Sequence, residues 1–494
     1  MQTDPEKRSL EQLLAIFGAE GVITDPDTLL RYSRDQVADA DYAVIPAAVV
    51  RPTETRQVAE LMRWANETGV PVTPRGGGSG LAGAAIPLPG GVVCSFEKMN
   101  RILDIDTENM MVVVEPGVIT NDLDRALEPH GLFFAGYPMS EDICFIGGNV
   151  AENAGGGRAV KYGTTGTWVT GAEIVTPTGD LLRLGGKRLK DVTGYNLLHL
   201  MIGSEGTLGL FTELTIRVIP RPSVRGVALL AFRDHRSATT AVATFKRSPS
   251  LSAVEFMDGE TARRANSGLP RKKQLAVPET AGAFLLVEFD GDDPATVERA
   301  LTAAADQARR AWRDAGEPHP ADTAATLAAH ERTDPVIALG TDRTSGDRAW
   351  TLRKAVPWWV KRTAPGYHSV EDVVVPPSEI PALVEYAEHL RHKYQVPIAV
   401  FGHAGDGNFH INPMKPPELS PDEWPDLVDS LRHDLYHRVV ELGGTISGEH
   451  GIGRKRVRYV PLALTREEIH AMTAIKRALD PGNILNAGVV FGLD

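Results

Sequence analysis

The sequence predicts an α+β protein in two parts. One is built of short strands joined by turns; in the other, helices back an antiparallel sheet. Three observations carry this. Short strands and glycine-rich turns fill the chain up to about residue 220. Pro220-Arg221-Pro222 then interrupts it. Beyond that point, long Ala- and Arg-rich segments such as 294–315 alternate with apolar strand-like runs such as 283–289 and 372–375.

Each element follows from local pattern. Leu10, Leu13, Leu14 and Phe17 recur at helical spacing and make residues 1–41 a helical arm. A strand is expected over Tyr42–Val50. In 53–68, Val58, Leu61, Met62 and Ala65 fall at i, i+3, i+4 and i+7, an amphipathic helix that Gly69 ends. A strand at 70–73 runs into Pro74-Arg75-Gly76-Gly77-Gly78-Ser79-Gly80. Residues 101–106 and 111–115 form a hairpin over Thr107-Glu108-Asn109. Thr120 caps a helix that stops at Gly131. A second glycine-rich stretch covers 147–157, and 172–177 with 181–184 make another hairpin. A third run, Gly203 to Gly209, leads into a strand ending near Ile219. A last helix lies beyond 460, before Asp480 to Gly488.

Composition narrows the function. The 64 acidic against 52 basic residues give −12, which disfavours a nucleic-acid-binding face. The chain has only two cysteines, Cys94 and Cys144, too few for a disulfide framework or an iron–sulfur cluster. Any metal must therefore use His, Asp or Glu. No apolar run is long enough for a transmembrane segment, and the start is not a signal peptide. The expected location is cytoplasmic, with peripheral contact at the inner face of a membrane left open.

Gly78-Ser79-Gly80-Leu81-Ala82-Gly83 has the letters of the dinucleotide fingerprint G-x-G-x-x-G. Pro87 and Pro89 leave no room for the helix that motif must open, so a Rossmann site is excluded. The loop still suits an anion, because consecutive glycines let backbone N–H groups converge, and Arg75 adds charge. A tight surface turn is the alternative for any single stretch. Three stretches in one region favour a large phosphorylated ligand lying against bare backbone.

Together, Pro74–Gly80, Gly147–Gly156, Tyr162-Gly163 and Gly203–Gly209 resemble the FAD-binding domain of the vanillyl-alcohol oxidase superfamily. The resemblance implies a two-subdomain FAD-binding domain over 42–222. It implies that Arg75, Gly76, Gly77, Gly78, Ser79 and Gly80 cradle the pyrophosphate. Ser140, Gly148 and Asn149 would lie along the flavin, and Glu205 near the ribose or adenine. The first loop has no His, so FAD is expected to be non-covalent.

In the second half, Phe401 to Asn412 reads as a hairpin around an Asp-, Gly- and Asn-rich turn. His403 and His410 then fall near opposite one another, close enough to share an ion, and Asn412 shares the face of His410. Ser447-Gly448-Glu449-His450-Gly451-Ile452-Gly453 adds an acid and an imidazole. Two His and a carboxylate leave open positions on a divalent ion, zinc, manganese or iron. The alternative is that these are ordinary hydrogen-bonded histidines. Arg454, Lys455, Arg456 and Arg458 read as a solvated basic face.

With Trp350-Thr351-Leu352-Arg353-Lys354 and Asp480–Gly488, these segments resemble the metal-containing 2-hydroxy-acid dehydrogenase branch of that superfamily. That branch includes D-lactate dehydrogenases, the flavin subunit of glycolate oxidase and D-2-hydroxyglutarate dehydrogenase. The resemblance implies a cap domain over 223–459 and a return of 460–494 to the FAD domain. It makes His403, His410 and Glu449 metal ligands, His450 the general base and Arg353 the carboxylate binder. Asn412 would line the pocket, and Asn486 would approach the flavin. The 2-hydroxyglutarate enzymes resemble one another in a Thr soon after the Arg and a Lys before the next strand. Here Lys354 to Trp359 follows the Arg, and Val370 stands near the Lys position, so D-lactate or glycolate is the expected substrate. Trp358 and Trp359 would then form an apolar pocket, core aromatics being the alternative. Electrons would leave to a separate acceptor: an iron–sulfur subunit, a cytochrome or a quinone. The rival functions are another flavin oxidase of this fold, a metallohydrolase and a non-catalytic subunit.

Overall fold

The structure, a computed structural model, describes residues 5–37, 42–315 and 334–492. The chain divides into two compact units. The first takes the described residues up to Gly156, then Gly163–Arg221, then those from Glu449 onward; the second takes Gly157–Tyr162 and Pro222–Gly448. The return to the first unit thus comes at Glu449 rather than at 460.

In the first unit, Ala48–Val50, Val92–Ser95 and Val72–Arg75 lie parallel, with Val22–Ile23 added antiparallel to Ala48–Val50. The strand expected over 42–50 is confined to its last three residues. Pro46, which has no N–H to donate, stands just ahead of it. Helix Thr55–Thr68 buries Val58, Leu61, Met62 and Ala65 completely and ends on Gly69 in the left-handed conformation. Each of its large apolar side chains contributes about 1.5–3 kcal/mol by leaving water. The same core holds Leu13 and Phe17 of the arm and Ile484 and Leu485 of the tail. Beside Val72, the tail bonds as a short parallel strand: Val72 N–H donates to Ile484 and Asn486 N–H to Val72.

A five-stranded antiparallel sheet completes this unit, in the order Ile102–Asp106, Met111–Val114, Leu210–Arg217, Val169–Val175, Leu181–Gly185. Both expected hairpins lie in it. Thr120 opens helix Thr120–Leu127 without capping it. Its hydroxyl instead accepts from the Asn149 amide and meets Cys144. The second glycine stretch is partly helical. Gly147 and Gly148 lie inside helix Ile146–Glu152, and Asn153 ends it at φ +50°.

The second unit is a seven-stranded antiparallel sheet in the order Val336–Gly340, Val224–Phe232, Ala283–Gly291, Leu251–Asp258, Ile398–His403, Asn408–Pro413, Glu371–Val374. Long helices pack on it, among them Pro294–Asp314, Arg343–Thr363 and Trp424–Glu441. Its central strands are buried along nearly their whole length, as expected where helices cover both faces. The segment 157–162 is tied in through Arg158, 2.8 Å from the fully buried Glu288, and Tyr162, whose hydroxyl donates to Asp290. No helix among the described residues is long and apolar enough to cross a membrane.

Candidate active site

The three glycine stretches meet within the first unit. A Cβ on Gly76 would lie 3.6 Å from the Gly148 backbone, and one on Gly206 would lie 2.6 Å from the Pro74 ring. On Gly77 it would lie 2.1 Å from the Ile143 carbonyl oxygen. Bare backbone is therefore a packing requirement here. No helix follows the first loop, consistent with the exclusion of a Rossmann site. Among the described residues, the N–H groups of Gly77, Gly78, Ser79 and Gly80 donate no hydrogen bond. Four clustered donors of this kind suit a diphosphate.

Arg75 does not extend that donor set. Its guanidinium is buried, donates to the carbonyls of Arg34 and Arg31, and lies 5.6 Å from the Tyr32 ring centre. Its charge thus pins the 31–34 turn. Burial holds its pKa below the usual value. Gly148 has open space where a side chain would be, whereas the Asn149 amide is committed to Thr120. Ser140 accepts the Ile143 and Cys144 N–H groups through its carbonyl.

Glu205 and Asn486 also differ from simple cofactor contacts. Glu205, at φ +51°, is buried and accepts the N–H groups of Ile452 and Gly453 at 2.7 Å each. Asn486, at φ +48°, donates to the carbonyls of Ala84 and Glu205 at 3.1 and 2.8 Å. Together they fasten the first loop, the third loop and the 449–453 turn to one another. Within this unit Glu449 Oε1 stands 3.6 Å from His450 Nε2, and Glu449 lies beside Gly155.

In the second unit the hairpin Ile398–His403 and Asn408–Pro413 presents the histidines. They are diagonal rather than directly opposite: His403 pairs with Asn408, and His410 with Phe401. The four-residue turn sets this register. The two rings are 5.4 Å apart and perpendicular, still close enough to share an ion.

Each imidazole faces a buried carboxylate on the neighbouring strand, in register. Glu255 pairs with His403 and its Oε1 is 2.7 Å from Nδ1; Asp372 pairs with His410 and its Oδ1 is 3.7 Å from Nδ1. Sequence reading missed both acids. The signal was an acid inside an otherwise apolar strand, Glu255 in Leu251–Asp258 and Asp372 in Glu371–Val374, each strand also carrying a second acid, Asp258 and Glu371, since unpaired burial of a carboxylate is costly. At His403 the 2.7 Å contact of Nδ1 with Glu255 sets the tautomer that turns a lone pair on Nε2 outward, the orientation of a metal-binding histidine, whereas at His410 the 3.7 Å separation from Asp372 is too long for a hydrogen bond. Asp372 also accepts from Ser447 and from Gly448 N–H, the last residue of this unit, and Glu449 follows by one peptide bond.

Arg353 is buried, with Nε 2.7 Å from Glu255 and its guanidinium over Phe401. Asn412 shares the strand and face of His410, its amide donating to the carbonyls of Ala399 and His410. The expected tryptophan pocket is not formed. Trp358 is 61% exposed beneath Lys361, and Trp359 packs against the core. The basic face is corrected too, since Lys455 and Arg456 are buried.

Comparison with known proteins agrees with this organisation. The profile of the C-terminal domain of FAD linked oxidases matches residues 221–490, and that of an FAD binding domain matches 46–185. The chain is 37% identical to glycolate oxidase subunit GlcD of Bacillus subtilis, covering 98% of this chain and 97% of the relative. It is 35% identical to D-lactate dehydrogenase of Anaerostipes hadrus (90% and 89%) and 31% identical to D-2-hydroxyglutarate dehydrogenase of Stutzerimonas stutzeri (99% and 99%). Among solved structures, p-cresol methylhydroxylase shares the fold at TM-score 0.75 and 18% identity, covering 100% of this chain and 98% of that one.

Proposed function

Because this chain belongs to the FAD-linked oxidases, we propose that it oxidises a D-2-hydroxy acid to the 2-oxo acid with the help of a divalent ion, D-lactate or glycolate being the substrate. One observation carries the metal-assisted reading: two buried histidines on adjacent strands with rings 5.4 Å apart, His403 held at Nδ1 by the buried Glu255 and His410 facing the buried Asp372 in register. Relatives named for glycolate, D-lactate and D-2-hydroxyglutarate support the substrate class.

His403, His410 and Glu449 would hold the ion. The donor set fits, since imidazoles with a carboxylate suit zinc, manganese or iron and leave coordination positions open. The four undirected amides of the first loop, with Gly148, fit non-covalent FAD. When bound, the ion lowers the pKa of a coordinated hydroxyl and FAD accepts the hydride.

The protein's own groups do the rest. His450 takes the hydroxyl proton, since an imidazole is the side chain that exchanges protons near neutral pH. Arg353 offers its two terminal guanidinium nitrogens to the substrate carboxylate while Glu255 keeps Nε. Asn412 keeps the wall beside His410 polar and rigid. A separate acceptor, an iron–sulfur subunit, a cytochrome or a quinone, would take the electrons.

The test is anaerobic bleaching of the flavin by a panel of D-2-hydroxy acids, with and without chelator. Bleaching by D-lactate or glycolate that chelator abolishes is expected. Bleaching unaffected by full removal of metal would remove the ion from the mechanism. No bleaching by any acid would overturn the substrate class.

A further inference from the structure

We infer that Arg454 is the cationic partner of the FAD diphosphate, the role that Arg75 does not fill; this rests on FAD occupying the first glycine loop.

Four observations within the first unit point to it. The backbone at 453–455 lies directly on the first loop: the N–H groups of Arg454 and Lys455 both donate to the Ala82 carbonyl, at 3.0 and 3.1 Å. That approach is possible only because position 453 is glycine. At φ +56° a Cβ there would lie 1.9 Å from the Ala82 oxygen. Arg454 Nε is anchored on the Ile86 carbonyl at 3.1 Å, which fixes the direction of the guanidinium. Its Nη2 is buried and makes no hydrogen bond, and among the described residues no carboxylate pairs with the side chain. Burial alone therefore pushes its pKa below the usual value.

The charges nearby are otherwise assigned. Glu205 is engaged by Ile452 and Gly453, and Arg456 Nη1 donates to the Gly451 carbonyl. Asp35 accepts the Gly83 and Val37 N–H groups. Arg75 is tied to the 31–34 turn. What remains is a fixed, partly buried guanidinium with an undirected donor, on a backbone bonded to Ala82, two residues beyond the four undirected amides of the first loop. A cation desolvated without a partner is costly, so such a site is built for an anion that arrives later. In a loop that holds FAD, that anion is the diphosphate.

The experiment uses the full-length holoprotein. FAD release on dilution is followed by the rise in free flavin fluorescence, with inorganic pyrophosphate as competitor, in wild type, Arg454→Met and Arg454→Lys. Losing a charged hydrogen bond of this kind should weaken FAD binding about 10–100-fold in Arg454→Met. Arg454→Lys should fall between the two, and pyrophosphate should speed release less in Arg454→Met than in wild type. The flavin midpoint potential should be unchanged in both variants, because the contact is remote from the ring. Unchanged FAD affinity in Arg454→Met would overturn the assignment. So would an affinity loss accompanied by a shifted potential, which would move Arg454 to the isoalloxazine. Wild type that holds no FAD would instead overturn the underlying reading. Should Arg454→Met fail to fold, Arg454→Lys decides alone, by wild-type affinity against a loss.

Discussion

Glu255 stands between a histidine and an arginine, one carboxylate oxygen 2.7 Å from His403 Nδ1 and the other 2.7 Å from Arg353 Nε. Both neighbours are buried, so one carboxylate orients the metal-side imidazole and neutralises the guanidinium. Glu255→Gln keeps the shape and removes the charge. Metal affinity should fall about 10–100-fold, as for other carboxylates behind a ligating histidine. Calorimetric titration of the metal-free protein checks this, with FAD content as the internal control. An unchanged metal affinity would show that His403 does not depend on Glu255.

Among the glycines of the first unit, Gly453 leaves the least room for a side chain, a Cβ there lying 1.9 Å from the Ala82 oxygen. Its left-handed backbone alone makes Gly453→Ala cost about 1–3 kcal/mol, and the collision with Ala82 adds to that. Gly69 provides the comparison, because it has φ +73° with nothing within 4 Å of a Cβ. Denaturant titration should therefore rank Gly453→Ala as clearly more destabilising than Gly69→Ala. Equal losses would mean the loop at 82 yields to a methyl group.

Patterns local in sequence were readable. Helix Thr55–Thr68 and its glycine stop follow from periodicity, and the histidine hairpin from its turn residues. What escaped depends on partners distant in the chain. Gly147 and Gly148 carry no side chain to show a period, so a helix read as a loop. Lys455 and Arg456 read as solvated, yet they are buried in a unit where Glu205 and Glu152 approach from some 250 and 300 residues away. Glu255 and Asp372 became meaningful only once strand register set them against His403 and His410. Arg75 matched the loop by sequence, but its side chain turns back to the arm that precedes it.

His450→Ala should retain FAD and, with His403, His410 and Glu449 holding the ion, metal as well; loss of metal would instead make His450 a ligand, with Asp372 and His410. The rate of flavin reduction by substrate should fall about 10²–10⁴-fold, the usual contribution of a positioned base. Stopped-flow bleaching under anaerobic conditions measures it directly. Reduction at the wild-type rate would remove His450 from the proton transfer.

Glu152 sets a pH dependence of stability with a definite sign. Its Oε2 is buried without a hydrogen bond and faces Glu205 around Gly451. Burial first, then repulsion from Glu205 and Asp35, raises its pKa well above the ordinary 4.5, with Arg456 opposing. A carboxyl that holds its proton more tightly when folded favours folding below its unfolded pKa. That contribution is lost as pH rises through the folded value, by about 1.4 kcal/mol per unit of difference. Glu152→Gln removes the titration and keeps the shape. The variant should match wild type near about pH 4.5 and become progressively the more stable of the two toward about pH 8. Thermal unfolding of the FAD-free protein across that range measures the gap. A variant that instead loses ground as pH rises would show that ionised Glu152 is stabilised by Arg456 more than it is penalised by burial.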